Sequence, residues 1–191
     1  MLFRSDAEFG ELQVRPDAAT ASAFGNQIEQ FLSRQQSELK HALDECRTTD
    51  GTRIHINANL ASAADAVAAI EAGAEGCGLL RTEFAFMEKT RAPDIEEQLQ
   101  VYRPIAEALA KRPLIVRTLD AGGDKPISYI DQQAEENPAL GVRGIRLSLL
   151  NKDILRTQLQ ALLELSKSSS LQIMIPMVND VHEVEAVREI L

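Results

Sequence analysis

Residues 114–125 read LIVRTLDAGGDK, and the architecture of the whole chain turns on that stretch. Leu114, Ile115 and Val116 form an unbroken apolar run, the mark of a strand covered on both faces. Arg117, Thr118 and Asp120 fall where such a strand gives way to a loop. Gly122 and Gly123 allow the backbone to turn, or to approach a ligand, with no Cβ in the way. Packing does not require a guanidinium at the carboxyl end of a buried strand. The position is well suited to gripping an anion.

Upstream of this strand the pattern alternates. Residues 53–60 (RIHINANL) place Ile54, Ile56 and Ala58 against His55, Asn57 and Asn59 as a half-buried strand. Ser62 with Asp65 signals a helix start, and Gly73 ends a helix over 62–72. Gly76–Leu80 is a second strand, followed by Arg81-Thr82-Glu83. A helix over 94–111 opens after Pro93, and Pro104 inside it removes a backbone donor, so a kink or break is expected there. Downstream, 120–140 is a long polar loop of the kind that tends to be functional. The stretch 141–149 (GVRGIRLSL) has period-two features and reads as a fourth strand. A helix over 151–167 follows, with Ile154, Leu155, Leu159, Leu162 and Leu163 inward. Residues 171–177 (LQIMIPM) make a fifth strand, and Asp180 with Glu183 caps a last helix.

Strands alternating with helices imply an α/β fold with a parallel sheet and right-handed crossovers. No GxGxxG follows the first strand, so the dinucleotide-binding fingerprint is absent. A partial (β/α)8 TIM barrel, about five of eight strands, is the architecture expected. Ahead of it, 9–14 is strand-like, and 17–46 is a helical arm with Phe24, Ile28, Phe31, Leu32, Leu39, Leu43 and Cys46 at three- and four-residue steps. A turn at 48–52 (TTDGT) separates arm from barrel.

Composition narrows the function. A net charge of −9 over 191 residues and a pI near 4.9 argue against nucleic acid or an anionic membrane as the main partner. Any anionic ligand must be held by a local basic cluster. No run reaches membrane-span length, and Met1–Arg4 lacks the pattern of a signal peptide. Cys46 and Cys77 form neither a disulfide framework nor a metal spacing, which suits a reducing compartment and a cytoplasmic location.

Three arginines recur at equivalent places in successive units: Arg81, Arg117 and Arg143. Guanidiniums converging at the carboxyl ends of strands suit a ligand with several anionic oxygens, and phosphoryl transfer needs such positioning and charge neutralisation. The plain alternative is surface or salt-bridge arginines. Of Arg143 and Arg146, one suits the ligand and the other a structural role, in either order. Glu83, Asp120 and Asp124 could orient arginines or bind a metal, though ordinary ion pairing is the simpler reading. His41, His55 and His182 lack neighbours that suggest chemistry, and Cys77 in a buried strand reads as a small hydrophobe.

Three ordered motifs carry a resemblance: GAEGCGLLRTEFAFM (73–87), IVRTLDAGGDKP (115–126) and EENPALGVRGIR (135–146). From about Phe9 to its end the chain resembles enzyme I of the phosphoenolpyruvate (PEP):sugar phosphotransferase system, within the PEP-utilising enzyme family. PEP synthase and pyruvate phosphate dikinase share the RTE-type motif, but the GGDK turn and EENPxLGxR favour enzyme I. The resemblance implies a PEP-binding (β/α)8 barrel and Mg²⁺-assisted transfer of phosphate from PEP to a histidine on a mobile domain, then to the carrier protein HPr. It implies that Arg81 and Arg117 bind PEP and that Arg143 is a further anion contact, with Mg²⁺ ligands in later motifs. Residues 1–15 would then be the tail of an upstream phosphohistidine domain, 16–50 a linker and 51–191 the first part of the barrel. The histidine-bearing domain and the second half of the barrel are not in this sequence, and Cys77 does not match the family's catalytic cysteine. A central fragment, inactive alone, of a homodimeric parent in sugar transport is the expectation. A PEP synthase or dikinase fragment, or a silent PEP-binding module, is the alternative.

Overall fold

The computed structural model describes residues 3–6, 10–87, 89–122, 127–131 and 135–191. The chain divides into two units, Met1–Asp44 and Glu45–Leu191.

In the first unit, strands β1 (Phe3–Asp6) and β2 (Glu11–Val14) pair antiparallel, with Phe3 opposite Val14. Helix α1 spans Ala18–Lys40, and the Asp17 carboxylate accepts from the Thr20 N–H at 2.7 Å. That bond satisfies one of the donors a helix start leaves open. α1 ends short of the arm expected to reach Cys46, with its last N–H groups folding back in the turn at His41–Asp44. It passes through Gly25 unbroken. Its apolar residues Ile28, Phe31, Leu32 and Leu39 are exposed.

The second unit is mixed α/β, with a four-stranded sheet ordered β3-β4-β5-β6 in which every pair is parallel. The strands are β3 (Asn57–Leu60), β4 (Gly76–Arg81), β5 (Leu114–Arg117) and β6 (Leu171–Met174). Sequence neighbours are sheet neighbours, so all four carboxyl ends lie along one edge of the layer. Returning helices are α2 (Ala63–Glu71), α3 (Phe84–Met87), α4 (Ile95–Leu109), α5 (Ile145–Leu150) and α6 (Lys152–Ser166), and α7 (Val181–Ile190) follows β6. Leu60, Leu80, Leu114 and Val116 of the strands pack with Leu99, Tyr102, Ile105 and Leu109 of α4 and Leu162 of α6. A second cluster joins Ile145, Leu155, Leu159 and Val187.

Two expectations need correcting. The strand expected over 141–149 is absent. Ile145–Leu150 is helical, which leaves four strands rather than five. Gly144, at φ 56°, turns the chain so that the Ile145 N–H bonds the Pro176 carbonyl at 3.1 Å, and a Cβ there would lie 3.0 Å from that carbonyl oxygen. With apolar residues at most positions of so short a segment, period two does not separate strand from helix. Of the kink or break expected at Pro104, the break does not appear, because α4 continues over it. Pro104 and Gln100, whose carbonyl would have received the lost bond, are both exposed, so water can serve that oxygen.

Helices α2, α4 and α7 each start with a capping box, built from Ser62 with Asp65, Asp94 with Glu97 and Asp180 with Glu183. Glu97 also meets Lys89 at 3.2 Å and Arg91 at 2.8 Å. The Asp94 backbone N–H, followed by these cations, holds the Glu97 carboxyl down at about 2, against an ordinary value of 4.5. A depressed folded-state value stabilises above the unfolded value and is lost as pH falls through the folded one. The contribution of Glu97 is therefore complete above about pH 4.5 and fades toward pH 2. Acid unfolding followed by circular dichroism should show Glu97→Gln losing its stability deficit relative to the parent over that window. A deficit constant from pH 6 to 2 would contradict this.

Candidate functional site

The carboxyl edge of the sheet is where the sequence motifs meet. Arg81 ends β4 and Arg117 ends β5, and the two are register partners, with Met174 of β6 opposite Arg117 on the other side. Parallel pairing sends register partners to the same face, so the Arg81 and Arg117 side chains leave the sheet on one face. Arg81 is exposed, and its guanidinium carbon lies 5.7 Å from the centre of the Phe84 ring. The short helix α3 thus gives the freer arginine an aromatic face to rest on.

Arg117 is held more firmly. Its side chain is only 17% exposed and pairs with the Glu83 carboxylate, itself 2% exposed. A second branch reaches Asp120 Oδ2 at 3.3 Å. Asp120 is 5% exposed and also takes a two-pronged contact from Arg143, with Nε to Oδ1 at 3.1 Å and an Nη to Oδ2 at 3.0 Å. Arg117 and Arg143 are therefore bridged by one buried carboxylate. Among the described residues, Arg117 and Arg143 meet Glu83 and Asp120 here, and Arg81 ends the neighbouring strand. Among the described residues, Arg117 Nε and Thr118 Oγ1 are buried without a hydrogen-bond partner.

The loop carrying Arg143 is shaped by its own sequence. The Val142 N–H donates to the Glu135 carboxylate at 3.0–3.1 Å, and the Gly144 N–H bonds the Ala121 carbonyl at 3.2 Å. Gly122 sits at φ 119°, and a Cβ there would lie 2.7 Å from Arg143 Cβ. Only glycine lets the chain at residues 121–122 pass this close to Arg143. Arg146 faces elsewhere, donating to the carbonyls of Gly141 at 2.9 Å and Met177 at 3.0 Å. It tacks the loop onto the end of β6, whereas Arg143 joins the acid at the edge.

Beneath the arginines lies a buried polar chain that apolar patterning does not reveal. Gln158 of α6, 1% exposed, donates to Thr82 Oγ1 at 3.1 Å and to the Tyr102 hydroxyl at 3.3 Å, and accepts from the Leu119 N–H at 2.9 Å. The Thr82 hydroxyl donates to the Arg117 carbonyl at 2.9 Å. Tyr102 donates to Gln98, whose amide reaches the Pro93 carbonyl at 3.1 Å. Burial pushes the Tyr102 phenol well above its usual range, so it remains a neutral donor. One signal was readable: position 158 falls on the inward stripe of Leu155, Leu159 and Leu162, where an amide must find partners.

His41, His55 and His182 are exposed and each meets one acid, Asp44, Glu75 and Glu185 respectively. Cys77 is buried in β4, and burial raises its thiol. Of the loop over 120–140, Ile127 and Ile130 are buried in the main core and Tyr129 donates to the Phe86 carbonyl at 3.1 Å. Part of that polar stretch is therefore a packed cover over α3. Gly123 and Asp124 lie outside the described residues. Among the described residues no three His, Cys, Asp or Glu side chains form a metal-binding group, and no helix is long and apolar enough to cross a membrane.

Residues 34–191 match the family described as PEP-utilising enzyme, PEP-binding domain. The chain is similar to a multiphosphoryl transfer protein of Rhodobacter capsulatus, at 40% identity over 185 residues, 97% of this chain and 22% of that protein. A multiphosphoryl transfer protein of Xanthomonas campestris pv. campestris is 43% identical over 187 residues, again 97% of this chain and 22% of its own length. A phosphoenolpyruvate-protein phosphotransferase of Staphylococcus aureus is 38% identical over 182 residues, covering 95% of this chain and 32% of that protein. The chain thus spans less than a third of the length of these relatives. On the match over 34–191, the chain belongs to the PEP-utilising enzymes, through the PEP-binding domain of that family.

Proposed function

We propose that this chain is the PEP-binding portion of an enzyme I-type phosphoenolpyruvate-protein phosphotransferase, contributing Arg81, Arg117 and Arg143 to the PEP site. The observation that carries the reading is the pairing of Arg81 with Arg117 across β4 and β5, with Arg143 tied to the same corner through Asp120. PEP presents a phosphate and a carboxylate on a three-carbon enol. A row of guanidiniums on one edge fits two anionic groups a few ångströms apart.

In the reaction so assigned, the bond from phosphorus to the enol oxygen breaks as one forms from phosphorus to a histidine nitrogen supplied by another domain. The enolate left behind then takes up a proton at its terminal carbon to give pyruvate. The arginines orient the phosphate in line with that histidine and offset the charge it carries through the transition state. Arg117, gripped by Glu83 and Asp120, enters with its side chain already ordered, which lowers the cost of organising the site. Mg²⁺ is part of the family chemistry, but the described residues here do not fit it. The two buried acids at the edge are already engaged by arginines, so no step is routed through a metal on this chain.

Four parallel strands in sequence order match an arc of a (β/α)8 barrel, and the relatives have ample length to supply the remainder. On this reading 1–15 belongs with an upstream phosphohistidine domain, 16–50 links and 51–191 begins the barrel. The phosphate passes to HPr, in a cytoplasmic, homodimeric parent serving sugar uptake. The test is to supply the intact enzyme with PEP and HPr and measure pyruvate release and phosphohistidine formation. Pyruvate should appear in step with phosphorylated HPr and without nucleotide. Phosphorylation of pyruvate that depends on ATP would move the protein to the synthase and dikinase class. PEP binding with no phosphate transfer would make it a silent module.

A further inference from the structure

We propose that Gln158, on α6, is a positioning residue for the arginine row, setting the spacing of the β4 and β5 strand ends through one buried amide. The inference rests on the phosphotransfer reading above, because it needs a reaction whose rate reports that spacing. The sheet ladder carries the register only as far as Thr118, whose N–H bonds the Met174 carbonyl at 3.0 Å. The next N–H, of Leu119, leaves the ladder and goes to Gln158 Oε1 at 2.9 Å. On the other side of the same amide, Nε2 holds the hydroxyl of Thr82, the residue after Arg81, at 3.1 Å. Thr82 in turn holds the Arg117 carbonyl at 2.9 Å. One side chain therefore references the residue following Arg81 and the residue preceding Asp120 to a single point on α6.

Apolar packing alone would not need this. A leucine at 158 would continue the stripe of Leu155, Leu159 and Leu162 without burying a polar group. The amide instead spends both its donors and accepts one bond. A buried network satisfied to this degree fixes geometry more sharply than apolar contacts do. Small displacements of charged groups at a phosphoryl-transfer site are costly in rate.

Gln158→Glu in the intact enzyme is the test, measured as PEP-dependent pyruvate release from pH 6 to pH 8.5. Ionised, the introduced carboxylate can accept from Leu119 but cannot donate to Thr82. The Thr82 hydroxyl then turns toward it and releases the Arg117 carbonyl. Protonated, the carboxyl has one O–H, which restores the donation to Thr82 though not the one to Tyr102. Burial raises the value of a carboxyl placed here, and of the three partners of the amide only Tyr102 titrates. The expected result is a loss in kcat of roughly 10- to 100-fold at pH 8.5, with KM for PEP little changed, and recovery toward the parent rate as pH falls. Circular dichroism at both ends of the range confirms that the variant is folded. If it unfolds at high pH, Thr82→Val decides, because it keeps the shape and removes the hydroxyl between Gln158 and Arg117. It should lower kcat roughly tenfold. Folded variants within twofold of the parent at every pH overturn the proposal, as does a loss in Gln158→Glu that low pH does not restore. An intact parent enzyme that releases no pyruvate overturns the phosphotransfer reading instead, so the two failures are distinguishable.

Discussion

Arg117→Ala in the intact enzyme is expected to lower PEP-dependent pyruvate release by about a thousandfold and to destabilise the domain at the same time. The activity loss follows from removing the guanidinium that is both held in place and adjacent to Arg81. The stability loss has a separate origin. Glu83 and Asp120 are almost fully buried, and Arg117 is a charged partner of both. Removing a partner from a buried ion pair costs about 3–5 kcal/mol, mostly because the remaining charge stays desolvated. Activity and folding must therefore be separated. Arg117→Lys does this, since the ammonium retains the charge and most of the stability. It cannot reach Glu83 and Asp120 in two directions while presenting a planar fork to an anion. Its rate should fall roughly 100-fold while its thermal midpoint stays within a few degrees of the parent. Steady-state kinetics and thermal unfolding of both variants check the pair of expectations. A folded Arg117→Ala enzyme that releases pyruvate at the parent rate would remove Arg117 from the site.

The parts of this edge legible in the sequence were those set by short-range rules. LIVR had to be a buried strand because its apolar run is bounded by polar residues. Ser62 with Asp65 and Asp180 with Glu183 announced their helices because a capping box is a local exchange of hydrogen bonds. Placing Arg81 and Arg117 on one edge needed only the parallel, sequential order of the strands. What escaped depends on residues far apart in the chain. The pairing of Arg117 with Glu83 spans 34 positions and that of Arg143 with Asp120 spans 23. Gln158 meets Thr82 across 76. No spacing rule reaches that far. The segment 145–150 was misread for another reason. Its conformation is decided by the turn at Gly144 against Pro176, a contact with a strand end some 30 residues later. Its own apolar pattern suits strand and helix equally.

Asp120→Asn tests how Arg117 and Arg143 work together, and its sign is not the intuitive one. The Asp120 carboxylate is the single group that both guanidiniums share. Its oxygens take two hydrogen bonds from Arg143 and an ion-pair contact at 3.3 Å from Arg117. An asparagine keeps the shape but offers one acceptor, and its amide hydrogens point at groups that are themselves donors. Two like charges then face each other with nothing between them, so Arg143 is expected to swing away from Arg117. The stability cost is about 2 kcal/mol, the scale for lost hydrogen bonds to charged groups. Removing a negative charge also makes the edge more positive, which favours anion binding in general. Affinity for PEP should therefore hold or improve, while the geometry that aligns phosphate with its acceptor is lost. The expected signature is a kcat lowered roughly 100-fold with KM for PEP unchanged or smaller. A raised KM with kcat intact would mean that Arg143 only holds the substrate, equally in ground and transition states. In that case the acid's bridging role would have no part in the chemistry, and Arg143 would count as a tether for PEP and nothing more.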